Sequence, residues 1–241
     1  SLLSTSGSVY VKNGLKLASG TTLSLGTSSL NFYNAGAQTL SVVSGAATVQ
    51  SGGGSIWGGS SSDSLTIANG VTVSGWGSVS GTNVTNSGTI EALTGGTMYV
   101  NPTTLSNAAG GQLKVSTGTM WIQPTNFSNA GTLVQSGGTM NLSTTLTLAD
   151  LTGRISRSGG SFTLGGTLDL QTTGSLDIGA SGPFGTGGLT QASGTIKNGT
   201  ISSGDTTALS GGSVTLDNMT VGGSLLSTSG SVYVKNGLKL A

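Results

Sequence analysis

The sequence predicts an all-β fold, a parallel β-solenoid with coils of about 20 to 22 residues, and three observations carry that prediction. Residues 1–18, SLLSTSGSVYVKNGLKLA, return unchanged as residues 224–241. Between Val84 and Leu164 four segments align, with Met98, Met120, Met140 and Phe162 at the same place in each. Throughout, apolar residues alternate with polar ones in short bursts bounded by turn formers, which is the period of a strand and not of a helix.

The exact copy sets the organisation. Folding constraints tolerate Leu for Val or Ser for Thr, so an unchanged copy points to recent duplication or deliberate repetition. Residues 1–223 read as one unit and 224–241 as the start of the next, and self-similarity at fixed period is the signature of a repeat architecture. The chain opens inside a repeat, so the missing leader says nothing about export.

Composition agrees with a turn-rich, folded chain. Of 241 residues 44 are Gly, only 3 are Pro and 6% are charged, which excludes both an ordinary globular surface and the Gly-X-Y period of collagen. A hydrophobic content of 34% with a net charge of +1 argues against disorder. That charge also lacks the basic footprint of a nucleic-acid binder. No apolar run is long enough to insert into a membrane as a helix. With no Cys, stability rests on burial and backbone pairing.

In chain order, the bursts begin with Val9-Tyr10-Val11, Leu15-Lys16-Leu17 and Leu23-Ser24-Leu25. The aligned segments follow: GGTMYVNP (95–102), TGTMWIQP (117–124), GGTMNLST (137–144) and GGSFTLGG (159–166). Met98, Met120, Met140 and Phe162 form one series, and Val100, Ile122, Leu142 and Leu164 a second, two positions on, both in steps of 22, 20 and 22. Upstream of each lies a companion: NSGTI (86–90), NAAGGQL (107–113), NAGTL (129–133) and the looser DLTGRI (150–155). Leu168-Asp169-Leu170 and Leu176-Asp177-Ile178 close the pattern.

A unit of this length with two or three short strands buries no apolar face alone, but successive units stacked as coils do. Stacking places equivalent positions about 4.8 Å apart. Met98, Met120, Met140 and Phe162 then make an inward ladder with Val100, Ile122, Leu142 and Leu164 beside it. Asn86, Asn107 and Asn129 stack at a corner as an amide ladder, and Pro102 and Pro124 mark a second corner where no ladder N–H is needed. A 223-residue unit becomes roughly ten or eleven coils, about 50 Å of fibre. The rival, an antiparallel sandwich or barrel, does not explain the register of the four segments.

NSGTI, SNAGTLVQSGGTMNL and FTLGGTLDL, with GGSVTLDNMTVGG leading into the copy, resemble the β-helical repeats of filamentous haemagglutinin-type exoproteins, autotransporter passenger domains and giant tandem-repeat bacterial surface proteins. The resemblance covers most of the chain. It implies a secreted, right-handed β-helix on the bacterial cell surface, acting as adhesin, stalk or fibre.

Chemistry is sparse. Without His or Cys, the Ser/His/Asp and Cys/His systems and the commonest metal ligands are missing, and neither catalytic, metal nor cofactor residues are expected. Paired carboxylates are the remaining route, since β-helices host polysaccharide-active enzymes. Asp169 and Asp177, close in sequence, are expected to face outward on consecutive strands. Glu91, Asp63, Asp205 and Asp217 read as solitary and solvated. Regular Thr-x-Thr ladders are not seen.

Between the inward positions, Tyr99, Trp121, Asn141 and Thr163 face outward, and Tyr10 is read as their equivalent. Tyr10, Tyr99 and Trp121 are therefore possible surface contacts: a cross-strand pair supporting the sheet, a lateral contact between fibres, or a platform for a sugar ring. The faces of Trp57 and Trp76 are not assigned. The expected function is a non-enzymatic structural segment of a long extracellular fibre whose partners are neighbouring repeats and parallel copies of itself. The alternative is an adhesin that binds glycans through exposed aromatics; a β-helical polysaccharide-active enzyme is the remote one.

Overall fold

The computed structural model describes residues 7–33, 36–59, 63–189, 191–209, 212–223, 225 and 229–241, so parts of the repeated segment, 1–6, 224 and 226–228, lie outside the described residues. The chain divides into two compact units, Ser1–Val134 and Gln135–Ala241. Each is a parallel β-solenoid, as the strand periodicity requires.

In the first unit a regular coil has three strands. Thr89–Ala92, Thr97–Val100 and Thr104–Asn107 make one coil, and Gln112–Val115, Thr119–Ile122 and Asn126–Asn129 the next. All three pairings are parallel and in register. Each four-residue strand sends two side chains inward because successive Cβ atoms alternate. Ile90, Ala92, Met98, Val100 and Leu105 are all fully buried, and a Leu, Ile or Met so placed contributes about 1.5–3 kcal/mol. Pro102 and Pro124 lie buried at the corner between the second and third strands.

Coil length varies more than the expected range. Paired residues lie 22 apart at Val100 and Ile122, but 26 apart at Leu30 and Ile56 and 27 apart at Leu40 and Ile67. Strand positions must keep register to bury the same face, whereas corners absorb insertions cheaply. One insertion, Gly53–Gly54, interrupts the pairing of Ala47–Trp57 with Val71–Ser80.

In the second unit, Thr139–Leu142 pairs with Ser161–Leu164, placing Met140 beside Phe162 and Leu142 beside Leu164. A longer series follows: Thr145–Thr147, Thr167–Asp177, Thr195–Ser202, Ser213–Val221 and Ser231–Leu240, all parallel. Its offsets run from 28, between Leu168 and Ile196, down to 18, between Leu216 and Val234. The long coil carries successive turns between Gly179 and Gly188, from which Phe184 packs on Phe162 with ring centroids 5.3 Å apart. The expected absence of helix holds among the described residues apart from a single 3-10 turn, Leu148–Asp150, at the start of the segment read as DLTGRI; the Asp150 carboxylate accepts from Thr147 N–H and Oγ1, both at 2.8 Å.

One expectation about the strands needs correction. Asp169 and Asp177 stand on one strand, Thr167–Asp177, not on consecutive strands. The strand turns its corner without ending because Gln171 and Thr172 take the left-handed region, φ 55° and 66°.

Candidate functional site

The chain's distinctive chemistry lies in columns of side chains stacked from coil to coil. In the first unit Asn86, Asn107 and Asn129 are in register and buried. Asn86 Nδ2 donates to Asn107 Oδ1 at 2.8 Å, and Asn107 Nδ2 to Asn129 Oδ1 at 2.7 Å. The amides bond to one another, and Asn86 Nδ2 also donates to the Gln112 carbonyl at 3.0 Å. Below them the column becomes apolar, with Ile67 in register under Asn86, and Asn86 Oδ1 accepts nothing among the described residues. The corner residues are small for a reason. A Cβ on Gly111 would strike the Asn86 carbonyl and lie 2.7 Å from Asn107 Oδ1, and one on Gly131 would lie 2.6 Å from Asn107 Nδ2.

Tyr99 and Trp121 pair in register, 41% and 38% exposed, with ring centroids 6.5 Å apart and planes at 44°. In the other unit Asn141 and Thr163 pair likewise. Tyr10 does not hold the equivalent position. It pairs with Asn31, which pairs with Trp57, which pairs with Ser80, whereas Tyr99 pairs with Ser78. Tyr10 is therefore displaced by two residues, and a slip of two preserves which face a side chain occupies. Tyr10 is 66% exposed and meets Tyr33 edge-to-face, centroids 6.2 Å apart. Trp57 is half-buried on that outer face. Trp76 lies across glycines of the adjoining coils: a Cβ on Gly53, Gly95 or Gly96 would come within 2.7, 3.0 and 2.9 Å of its ring.

The carboxylates read as solitary prove to be partnered. Glu91 is in register with Lys114, accepts from its ammonium at 2.9 Å and takes the Ser116 hydroxyl at 2.6 Å. Asp63 accepts from Gly36 N–H at 3.0 Å. The second unit carries a column of alternating sign, Asp169, Lys197, Asp217 and Lys235, each in register with the next. Ion pairs join Lys197 to Asp169 at 3.2 Å and Lys235 to Asp217 at 3.6 Å. Beside it runs an outer amide column in the left-handed region, Asn198, Asn218 and Asn236, with φ of 59°, 54° and 52°. Asn198 Nδ2 donates to Asp169, Asn218 to Asn198, and Asn236 to Asp217, at 3.1, 3.2 and 2.7 Å. The Gln171 N–H, with Asn198 and then Lys197, holds the Asp169 carboxyl below its ordinary range.

Single Thr columns run outside, Thr22, Thr48, Thr72 and Thr89 in one unit and Thr145, Thr167, Thr195 and Thr215 in the other, without forming a Thr-x-Thr doublet. The long loop is held from both sides. The Thr207 hydroxyl and the N–H groups of Ala180 and Thr207 bring the exposed Asp205 carboxyl down to about 2. Arg157 donates to the Gly188 and Gly160 carbonyls at 2.7 and 2.6 Å, and its burial lowers its pKa.

Sequence reading misses the charge column and the outer Asn column. The signal is present in LDLQ, IKNG, LDNM and VKNG, where an apolar residue precedes Asp or Lys and, in three cases, Asn follows. Among the described residues no three or more of His, Cys, Asp and Glu gather as a metal site, and no helix is long and apolar enough to cross a membrane. What the columns do chemically is recognise another coil: each presents one row of donors, acceptors and apolar groups for the next. Set against models of known families, curated proteins and solved structures, the chain matches none.

Proposed function

We propose that this chain is a non-catalytic structural segment of a long extracellular fibre or stalk on the bacterial cell surface, built by tandem repetition of its solenoid unit. The observation that carries the reading is the match between parallel in-register columns in both units and the unchanged return of residues 1–18 at the far end. Such columns suit a tether, because axial load is shared by all backbone bonds between coils while closely paired backbone offers proteases little to grip. The resemblance to haemagglutinin-type and autotransporter repeats supports the same setting. Electron microscopy of the intact natural protein tests it: thin continuous filaments with a layer line near 4.8 Å and a longer repeat of about 50 Å are expected, and compact particles would refute it.

A second reading rests on one observation, the exposed pairs Tyr99–Trp121 and Tyr10–Tyr33. Flat aromatic faces at this exposure suit a sugar ring. On that reading the fibre is an adhesin, and Trp121→Ala abolishes binding on a glycan array without lowering the melting temperature; an array on which the parent chain finds no ligand excludes it.

A further inference from the structure

The same ten residues occur twice with different neighbours. Ser8–Val11 and Leu15–Leu17 pair with the coil that follows them, through Ser29–Phe32 and Ala37–Val42. Their copy, Ser231–Leu240, pairs with the coil that precedes it, Ser213–Val221. Both copies turn the same corner, with φ of 67° and 83° at Asn13 and Gly14 and of 52° and 97° at Asn236 and Gly237.

We propose that this segment is the joint coil between units, and that a second copy of this chain docks its Ser213–Val221 edge beneath residues 8–17 in the register Ser231–Leu240 already makes. The proposal rests on the fibre reading and specifies the contact it needs. That register sets Val232, Val234, Leu238 and Leu240 over the buried Val214, Leu216, Met219 and Val221. The corresponding residues of the first copy, Val9, Val11, Leu15 and Leu17, line an open apolar hollow of about 250 Å³. In the second copy the same side chains stand bare, Val234 at 53% and Leu240 at 82% exposure. Each copy is thus half of one coil.

The backbone bonds are compatible. The first copy uses the carbonyls of Gly7, Val11 and Leu17 toward the coil that follows, whereas the second uses the Ala241 N–H toward the Val221 carbonyl; its counterpart is Ala18. Charge selects the partner. Docking on Ser213–Val221 gives Lys12 and Asn13 the Asp217 carboxylate that Lys235 and Asn236 hold. Stacking copy upon copy would instead set Lys12 against Lys235 and Lys16 against Lys239, and like charges directly opposed are destabilising. In a single chain the second copy therefore caps the edge that the first copy of another molecule would take.

Disulfide trapping tests this, since the chain has no Cys of its own. In the proposed joint Tyr10 opposes Thr215, the partner Tyr233 has within one chain, and adjacent parallel positions fall within disulfide range. The full chain carrying Tyr10→Cys and Thr215→Cys should give a head-to-tail ladder of disulfide oligomers on mild oxidation. Tyr233→Pro, which removes a ladder N–H from the cap alone, should raise its yield several-fold, and a synthetic peptide of residues 1–18 should suppress it. Oligomers trapped by Tyr10→Cys with Tyr233→Cys instead would mean copy-on-copy stacking and overturn the joint while leaving the fibre reading intact. A Tyr10→Cys, Thr215→Cys chain that stays monomeric with and without Tyr233→Pro overturns the joint as well. Compact particles in micrographs of the natural protein, by contrast, overturn the fibre reading itself.

Discussion

Asparagine columns occur in both units, and they answer to different physics. Asn86, Asn107 and Asn129 are buried in strands, and their amides bond to one another. Asn198, Asn218 and Asn236 stand at a solvated corner, in the left-handed region that Asn and Gly adopt most readily. Inside, Asn is required for what its side chain donates and accepts. Outside, it is required first for what its backbone tolerates. The lesson is that an identical ladder on paper carries a large energy in one place and a small one in the other.

The largest expected effect breaks the inner column. Asn107→Leu removes both amide–amide bonds at once, taking the donor from Asn129 Oδ1 and the acceptor from Asn86 Nδ2, which should cost about 3 kcal/mol in chemical denaturation. Asn218→Gly keeps the left-handed corner and should stay within about 0.5 kcal/mol of the parent. Equal costs would abolish the distinction. Next comes the space beneath the amides. Gly131→Ala places a methyl 2.6 Å from Asn107 Nδ2 and against two carbonyls, and forcing that contact apart should cost about 2 kcal/mol.

A third substitution sharpens the comparison at the lower end of the inner column. Asn86 Oδ1 has no donor among the described residues, and Ile67 is the register partner of Asn86 on the preceding coil. Ile67→Thr supplies a hydroxyl there, so its lost packing is partly offset by a bond to the orphan oxygen. Ile90→Thr, equally buried but in an apolar column, has no such compensation. Ile67→Thr should therefore be the milder by about 1 kcal/mol; a cost equal to or above that of Ile90→Thr would show that Asn86 has no need of the bond.

How much of this is legible in the sequence follows from spacing. Met98 and Met120, or Asn107 and Asn129, recur 22 apart because their corners have equal length, so register can be read directly. Asp169, Lys197, Asp217 and Lys235 recur at 28, 20 and 18, and no fixed period finds them. Alternating sign also hides the column, since Asp and Lys do not look like one position until stacking makes them partners. Tyr10 escapes correct placement because strand alternation has period two and is blind to a slip of two residues. The third strand of each coil is only partly legible, since TLSN and NFSN offer one apolar residue and an inward Asn where alternation expects a second.

The outer column should respond weakly to loss of charge. Lys197→Met removes a partly exposed ion pair, worth about 0.2–1 kcal/mol and reduced by salt. The carboxyl of Asp169 should stay depressed, because the Gln171 N–H and Asn198 contribute more to it than Lys197 does. A rise of Asp169 to the ordinary carboxylate range in the variant, followed by NMR, would make the ion pair the organising contact and bring outer and inner columns closer in weight.

The smallest effect is local and depends on pH. Asp205 is fully exposed, yet three donors from Thr207 and Ala180 hold its carboxyl at about 2, against 3.8 for the free group. A folded pKa below the unfolded one means the unfolded state binds protons first, so the group stabilises the loop fully above about pH 4 and loses that contribution as pH falls through about 2. The Ala180 and Thr207 amide resonances should therefore move between pH 4 and 2, and in Asp205→Asn they should lack that titration. Because Arg157 holds the same excursion through the Gly188 and Gly160 carbonyls and does not titrate in this range, Phe184 should keep its packing on Phe162 throughout. Loss of that ring contact at pH 2 would mean that the carboxylate, and not burial of Phe184, fixes the longest coil of the second unit.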